Sequence, residues 1–172
     1  MRRLILTGSA FLLLACAGLS EKLLEGVTGE QIDISEDGMT MTLPGGGRME
    51  MRFGDGAVHD PALSLSPPPR STLIMSALIS LPDQPVSHMV SYQSEDAASE
   101  LIEQYRAEIT AKGLQPEESV GSEGAAVLNA VEGELTYFVS VAPPSEGAVG
   151  SAVTLGIGSR AAIEEGLSSR LQ

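Results

Sequence analysis

A chain of 172 residues with 42% hydrophobic residues, 19 Gly and 10 Pro has the apolar material for one compact unit or two small ones and is not low-complexity. Ten Lys and Arg against 23 Asp and Glu leave a formal charge of −13, a field that repels phosphate backbones and excludes nucleic acid as a partner. Three Tyr, three Phe and no Trp offer little for stacking on bases or sugars, and a single Cys excludes an internal disulfide, a thiolate zinc site and a paired-Cys redox motif.

Residues 1–15 place Arg2 and Arg3 before an apolar run from Leu4 to Leu14, broken only by Thr7, Gly8 and Ser9, and end on the small residue Ala15. The run is too short for the roughly 20 residues a bilayer-spanning helix needs, so it reads as a cleaved signal peptide, not as part of the fold. Leu13-Leu14-Ala15-Cys16 resembles the lipobox of bacterial lipoproteins. That resemblance implies a diacylglycerol on the Cys16 sulfur, cleavage before Cys16 and acylation of the new amine. Two or three acyl chains, each CH₂ contributing about 0.8 kcal/mol, anchor a protein stably. In Gram-negative lipoproteins a residue other than Asp after the Cys usually directs the protein to the outer membrane, and here that residue is Ala17. The resemblance thus implies a place on the inner leaflet of the outer membrane, facing the periplasm. Loss of Arg2 and Arg3 takes the charge from −13 to −15, and an anionic body stands off anionic lipid. The membrane contact runs through the lipid.

Residues 16–29 continue as the anchor and a short helix, with Leu19, Leu23, Leu24 and Val27 at helical spacing behind Ser20 and Gly29 at the end. Residues 30–58 hold three alternating runs: 31–35 with Ile32 and Ile34, 39–43 with Met39, Met41 and Leu43, and 48–53 with Met49, Met51 and Phe53. Their Gly-containing connections predict a small β-meander with one apolar face. Residues 59–71, with Pro61 and Pro67-Pro68-Pro69, predict an extended linker and a domain boundary.

In 72–158, the apolar run 72–81, the turn 82–85 and the alternation of Val86, His88, Val90 and Tyr92 predict a hairpin. Ser94 is the expected N-cap of a long helix with Glu95 and Asp96 at its start and Lys112 and Gly113 at its end. Ala98, Leu101, Ile102, Tyr105 and Ile109 form its apolar stripe, and Glu108 to Lys112 has ion-pair spacing. Strands follow at 118–120 or 127–131, then at 135–141 and 149–157. Residues 159–172 read as a C-terminal helix or tail, with Ile163, Leu167 and Leu171 on one side. The expected fold class is α+β: an antiparallel sheet with one long helix packed on a face, preceded by a small three-stranded β-meander. The stretch 86–157, with its acidic helix start, Tyr105 and Gly113, is similar to an uncharacterised small α+β domain of bacterial envelope lipoproteins, which implies an envelope setting and no particular chemistry.

No phosphate loop, dinucleotide fingerprint or nucleophile elbow occurs, and Gly156-Ile157-Gly158-Ser159 is only a fragment of one. His59 and His88 are the only bases for a Ser–His–acid relay, yet one stands beside the Pro-rich stretch and the other on an alternating strand; structural roles are expected for both. Glu100 and Glu103 share a helix face and read as solvated surface, not as an acid–base pair or a calcium site. Met39, Met41, Met49 and Met51 are four soft thioethers in two neighbouring Met-x-Met strands, a pattern that suits Cu(I). The same residues equally suit a core face, since Met fills irregular cores.

These features lead to a lipid-anchored periplasmic binding or interaction module with no enzymatic activity and no cofactor, contacting another envelope protein or a small ligand through its sheet. The alternatives are a Cu(I)-binding protein using the Met-x-Met strands and a hydrolase with a dispersed site. A deep pocket lined by His88, Tyr92, Tyr105 or Tyr137 with converging acids favours the enzyme; an exposed apolar patch on a flat sheet favours a protein partner.

Overall fold

The computed structural model describes residues 32–35, 37–43, 46–121, 124–143 and 150–159. Cys16, the signal segment, the short helix expected at 16–29 and the helix or tail expected at 159–172, apart from Ser159, lie outside the described residues. Nine strands run in chain order: β1 Ile32–Ile34, β2 Gly38–Thr42, β3 Arg48–Phe53, β4 Ser71–Ser80, β5 Ser87–Ser94, β6 Glu117–Val120, β7 Ala126–Glu132, β8 Leu135–Ala142 and β9 Ser151–Ser159. A helix, α1, spans Ala98–Ala111 between β5 and β6.

All nine strands belong to one antiparallel sheet in the order β1-β2-β3-β4-β5-β9-β8-β7-β6. Strands β1 to β5 form one meander. The helix then carries the chain to the far edge, and β6 to β9 return inward until β9 pairs with β5. The α+β expectation is therefore corrected. Strands take 51% of the described residues and helix 19%, so the architecture is one β-dominated, nine-stranded sheet with a single helix on a face. The three-stranded meander is not a separate unit preceding a sheet, because β3 pairs with β4 directly, Met51 opposite Ala77 and Phe53 opposite Met75.

The sheet changes its buried side halfway across. On β5, β9, β8 and β7 the alternation places Val90, Leu155, Val139 and Leu128 in one register row, all 0–1% exposed, on the face that α1 covers with Leu101, Ile102, Tyr105 and Ile109. On β2 to β4 the opposite face is apolar, with Met41, Met49, Met51, Met75 and Ala77 in a second cluster. Within β4 a β-bulge moves the apolar side chains from one face to the other. Residues two apart in a regular strand share a face, yet Leu73 packs against the first cluster and Met75 belongs to the second, because the register shifts between them. The inserted Ile74 is left 46% exposed.

Of residues 59–71, expected as a linker, 59–70 form a strap across the helix-bearing face and Ser71 opens β4. A single 3-10 turn at Pro61–Leu63 is capped by the Asp60 carboxylate, which accepts from Ala62 N. Leu63 and Leu65 enter the first cluster at 0% and 2% exposure. Burial of two leucines outweighs the stiffness of the prolines around them. Both strands proposed as alternatives after the helix form, as the hairpin β6–β7. The N-cap is Ala97, with no side-chain bond, and not Ser94. Pairing of Ser94 with Ser151 draws that serine into the sheet, where its Oγ accepts from Asp96 N at 3.2 Å. The helix ends as expected, Lys112 closing it and Gly113 following at φ +80°.

Candidate functional site

Every His and Tyr lies along the strap. His59 Nδ1 is 2.5 Å from Tyr92 Oη. Tyr105 Oη donates to the Ser66 carbonyl at 3.0 Å, and the Glu108 carboxylate accepts from Ser66 N at 2.8 Å and from Ser66 Oγ at 3.1 Å. Tyr137 Oη donates to Glu132 at 2.8 Å and lies 3.1 Å from Ser64 Oγ. His88 Nδ1 is 2.9 Å from Asp60 Oδ2 but lacks directed hydrogen-bond geometry, so the contact acts as an ion pair only when the ring is protonated. Burial raises the Tyr92 hydroxyl to about 12, and burial also pushes Tyr105 and Tyr137 upward. These phenols are kept neutral as hydrogen-bonding groups.

The expected Glu108–Lys112 pairing gives way to this strap. Glu108 holds Ser66, while Lys112 Nζ donates to Ser64 Oγ at 3.3 Å and stands 6.0 Å from the Tyr137 ring centre. The juxtaposition of Ser64, Lys112 and Tyr137 was not legible in the sequence, because the residues are far apart in the chain and no motif links them. Ser64 has φ +47°, a conformation uncommon for a residue with a side chain. As a nucleophile it is poorly served. Lys112 donates to its hydroxyl instead of accepting the proton, and Ser64 N donates to the Pro61 carbonyl, so that amide is not free to hold an oxyanion. The two histidines stand apart from Ser64, His59 bonding Tyr92 and His88 facing Asp60 without a directed hydrogen bond.

The other candidates fall elsewhere. Glu100 and Glu103 are exposed on α1. Glu103 is 3.4 Å from Arg106 Nε, and Arg106 also bonds Glu118 on β6, which raises its guanidinium pKa further. Among the described residues no group of three or more His, Cys, Asp or Glu side chains is placed to hold a metal ion, and no helix is long and apolar enough to cross a membrane. A depression of about 260 Å³ opens between β2 and β3, where Met39, Thr40, Glu50, Met51 and Arg52 line it; no His or Tyr reaches it.

The four methionines do come together. Met39 opposes Met51 and Met41 opposes Met49 in direct register, and Met75 and Met89 extend the group. Met41, Met49 and Met51 are 2–8% exposed among Leu43, Ala77 and Ile79, the setting of core residues.

Among the described residues the sheet is open at both ends of the strand order. Glu117 to Val120 on β6 are all exposed, Val120 at 82%, and Ile34 on β1 is 75% exposed. Comparison with protein-family models, with curated proteins and with solved structures finds no match to this chain.

Proposed function

We propose that the chain is a lipid-anchored envelope lipoprotein: a non-enzymatic interaction module, tethered through Cys16 to the periplasmic leaflet of the outer membrane, that takes up an extended segment of another envelope protein along β6. The tether rests on the lipobox resemblance of Leu13-Leu14-Ala15-Cys16 and on Ala17. The interaction rests on one observation, the exposure of all four residues of the edge strand β6. Such an edge offers unpaired N–H and C=O groups to an incoming strand, and Val120 adds an apolar side chain for recognition. The hydrogen bonds of His59 and of the three tyrosine hydroxyls along the strap favour this reading over a dispersed hydrolase site.

A photo-crosslinker at Val120 in intact cells is expected to capture one defined envelope protein, and one at Glu103 on the helix to capture none. Equal patterns from both positions overturn strand addition at β6. A second reading, Cu(I) binding, has the convergence of six thioethers in its favour. Its test is Cu(I) titration of the mature protein against a variant with Met39, Met41, Met49 and Met51 all changed to Leu. Equal affinity removes the metal; tighter binding by the parent establishes it.

A further inference from the structure

The side chains of the edge strand specify its occupant: we propose that β6 takes a basic extended segment of another protein, with adjacent Lys or Arg side chains opposite Glu117 and Glu118 and an apolar side chain opposite Val120. This rests on the reading of β6 as a place of strand addition and names the partner's chemistry. Glu118 and Val120 pair with Leu128 and Ala126 of β7, so both lie on the side that α1 covers, whereas Glu117 and Ser119, opposite Asn129 and Val127, lie on the other. Carboxylates therefore stand on both sides of the edge. Among the described residues one cation answers them: Arg106 bonds Glu118 and lies 3.4 Å from Glu103, while Glu117 is exposed and has no ion pair there. Three carboxylates thus share one guanidinium. Antiparallel entry, the pattern of every pair in this sheet, reads the incoming chain as apolar, any, basic, basic.

Length and charge oppose pairing between copies of this chain. β6 has four residues and follows Pro116, which lacks an N–H to extend the ladder. Few main-chain bonds are on offer, so side chains decide what binds. A second copy added through β6 sets two acidic strands side by side, and like charges on neighbouring strands repel. The other edge strand, β1, carries Asp33, so addition of β1 to β6 meets the same repulsion. Each of these pairings also joins two strongly anionic bodies. A basic segment of a different protein escapes both penalties, and the field of the body draws it toward the edge.

Fluorescence anisotropy of two labelled peptides with the mature full-length chain tests this. One peptide has the core Val-Thr-Lys-Lys and the other Val-Thr-Glu-Glu, within the same alternating Thr and Val flanks. The Lys peptide is expected to bind about tenfold more tightly, a preference lost in the double variant Glu117→Gln, Glu118→Gln and reduced by salt in the parent. N-methylation of alternate amides along one edge of the Lys peptide is expected to abolish binding, and along its other edge to leave binding intact, as main-chain pairing requires. Equal affinities for the two peptides, with that one-edged block retained, overturn the basic partner and leave strand addition standing. A Lys preference that neither set of methyl groups disturbs overturns strand addition and the inference with it. A preference that survives the paired Gln changes overturns the assignment to β6. Binding of neither peptide overturns the basic partner, and the crosslink from Val120 then decides strand addition separately.

Discussion

Tyr92 and Tyr105 illustrate how a buried hydroxyl sets a pH limit. A neutral phenol suits the interior and a phenolate does not, so the fold holds the proton after the unfolded chain has lost it. The stability these groups contribute is complete below pH 10, the ordinary value, and is lost as pH rises toward about 12, where Tyr92 ionises in the fold. Alkaline unfolding followed by circular dichroism is expected to be shallower between pH 10 and 12 in Tyr92→Phe than in the parent. Tyr105→Phe also strands the Ser66 carbonyl that its hydroxyl serves. We expect a loss of about 1 kcal/mol in urea denaturation. Gly150 marks a stricter constraint: at φ +87° a Cβ would sit 1.9 Å from the Ser94 carbonyl oxygen, where β9 begins against the end of β5. Gly150→Ala is expected to destabilise more than any surface substitution, read as a lowered thermal midpoint.

Among the elements, the strap ties the helix to the central strands β5 and β8. Its two leucines reach the core through a turn that Asp60 caps, and its residues are held by β5, α1 and β8. Leu63→Ala is expected to cost about 2–5 kcal/mol in chemical denaturation, since a fully enclosed side chain leaves a cavity. A true linker would register almost nothing. The methionine strands respond differently, because Met and Leu have similar volumes: Met49→Leu is expected to change stability by less than about 1.5 kcal/mol. Strand and helix positions were legible from local periodicity. Val90 and Tyr92 share a face with His88 as the alternation requires, and Leu101, Ile102, Tyr105 and Ile109 are buried as a stripe. Three features depended on distant partners and were not legible. Ser94 suits a cap but is taken by Ser151. The bulge at Ile74 leaves no local signature. The strap carries a signal, Leu63 and Leu65 between prolines, but the prolines by themselves point to an extended, unpacked stretch.

At the scale of the molecule, one long sheet with a different apolar face at each end asks for two covers. The described helix and strap supply one of them. In the proposed function the edge at β6 is the one offered to a partner, and loss of residues 1–15 would leave a charge of −15 that holds the body off an anionic bilayer. Function in this account depends on where the sheet is held, and therefore on Cys16. Intact-mass spectrometry of the protein extracted from its membrane fraction tests that directly. The expected result is a chain beginning at Cys16 and carrying diacylglycerol plus an amide-linked acyl group, with Cys16→Ser released from the membrane. An unmodified chain, or a Cys16→Ser variant with the parent's mass increments and fractionation, contradicts it.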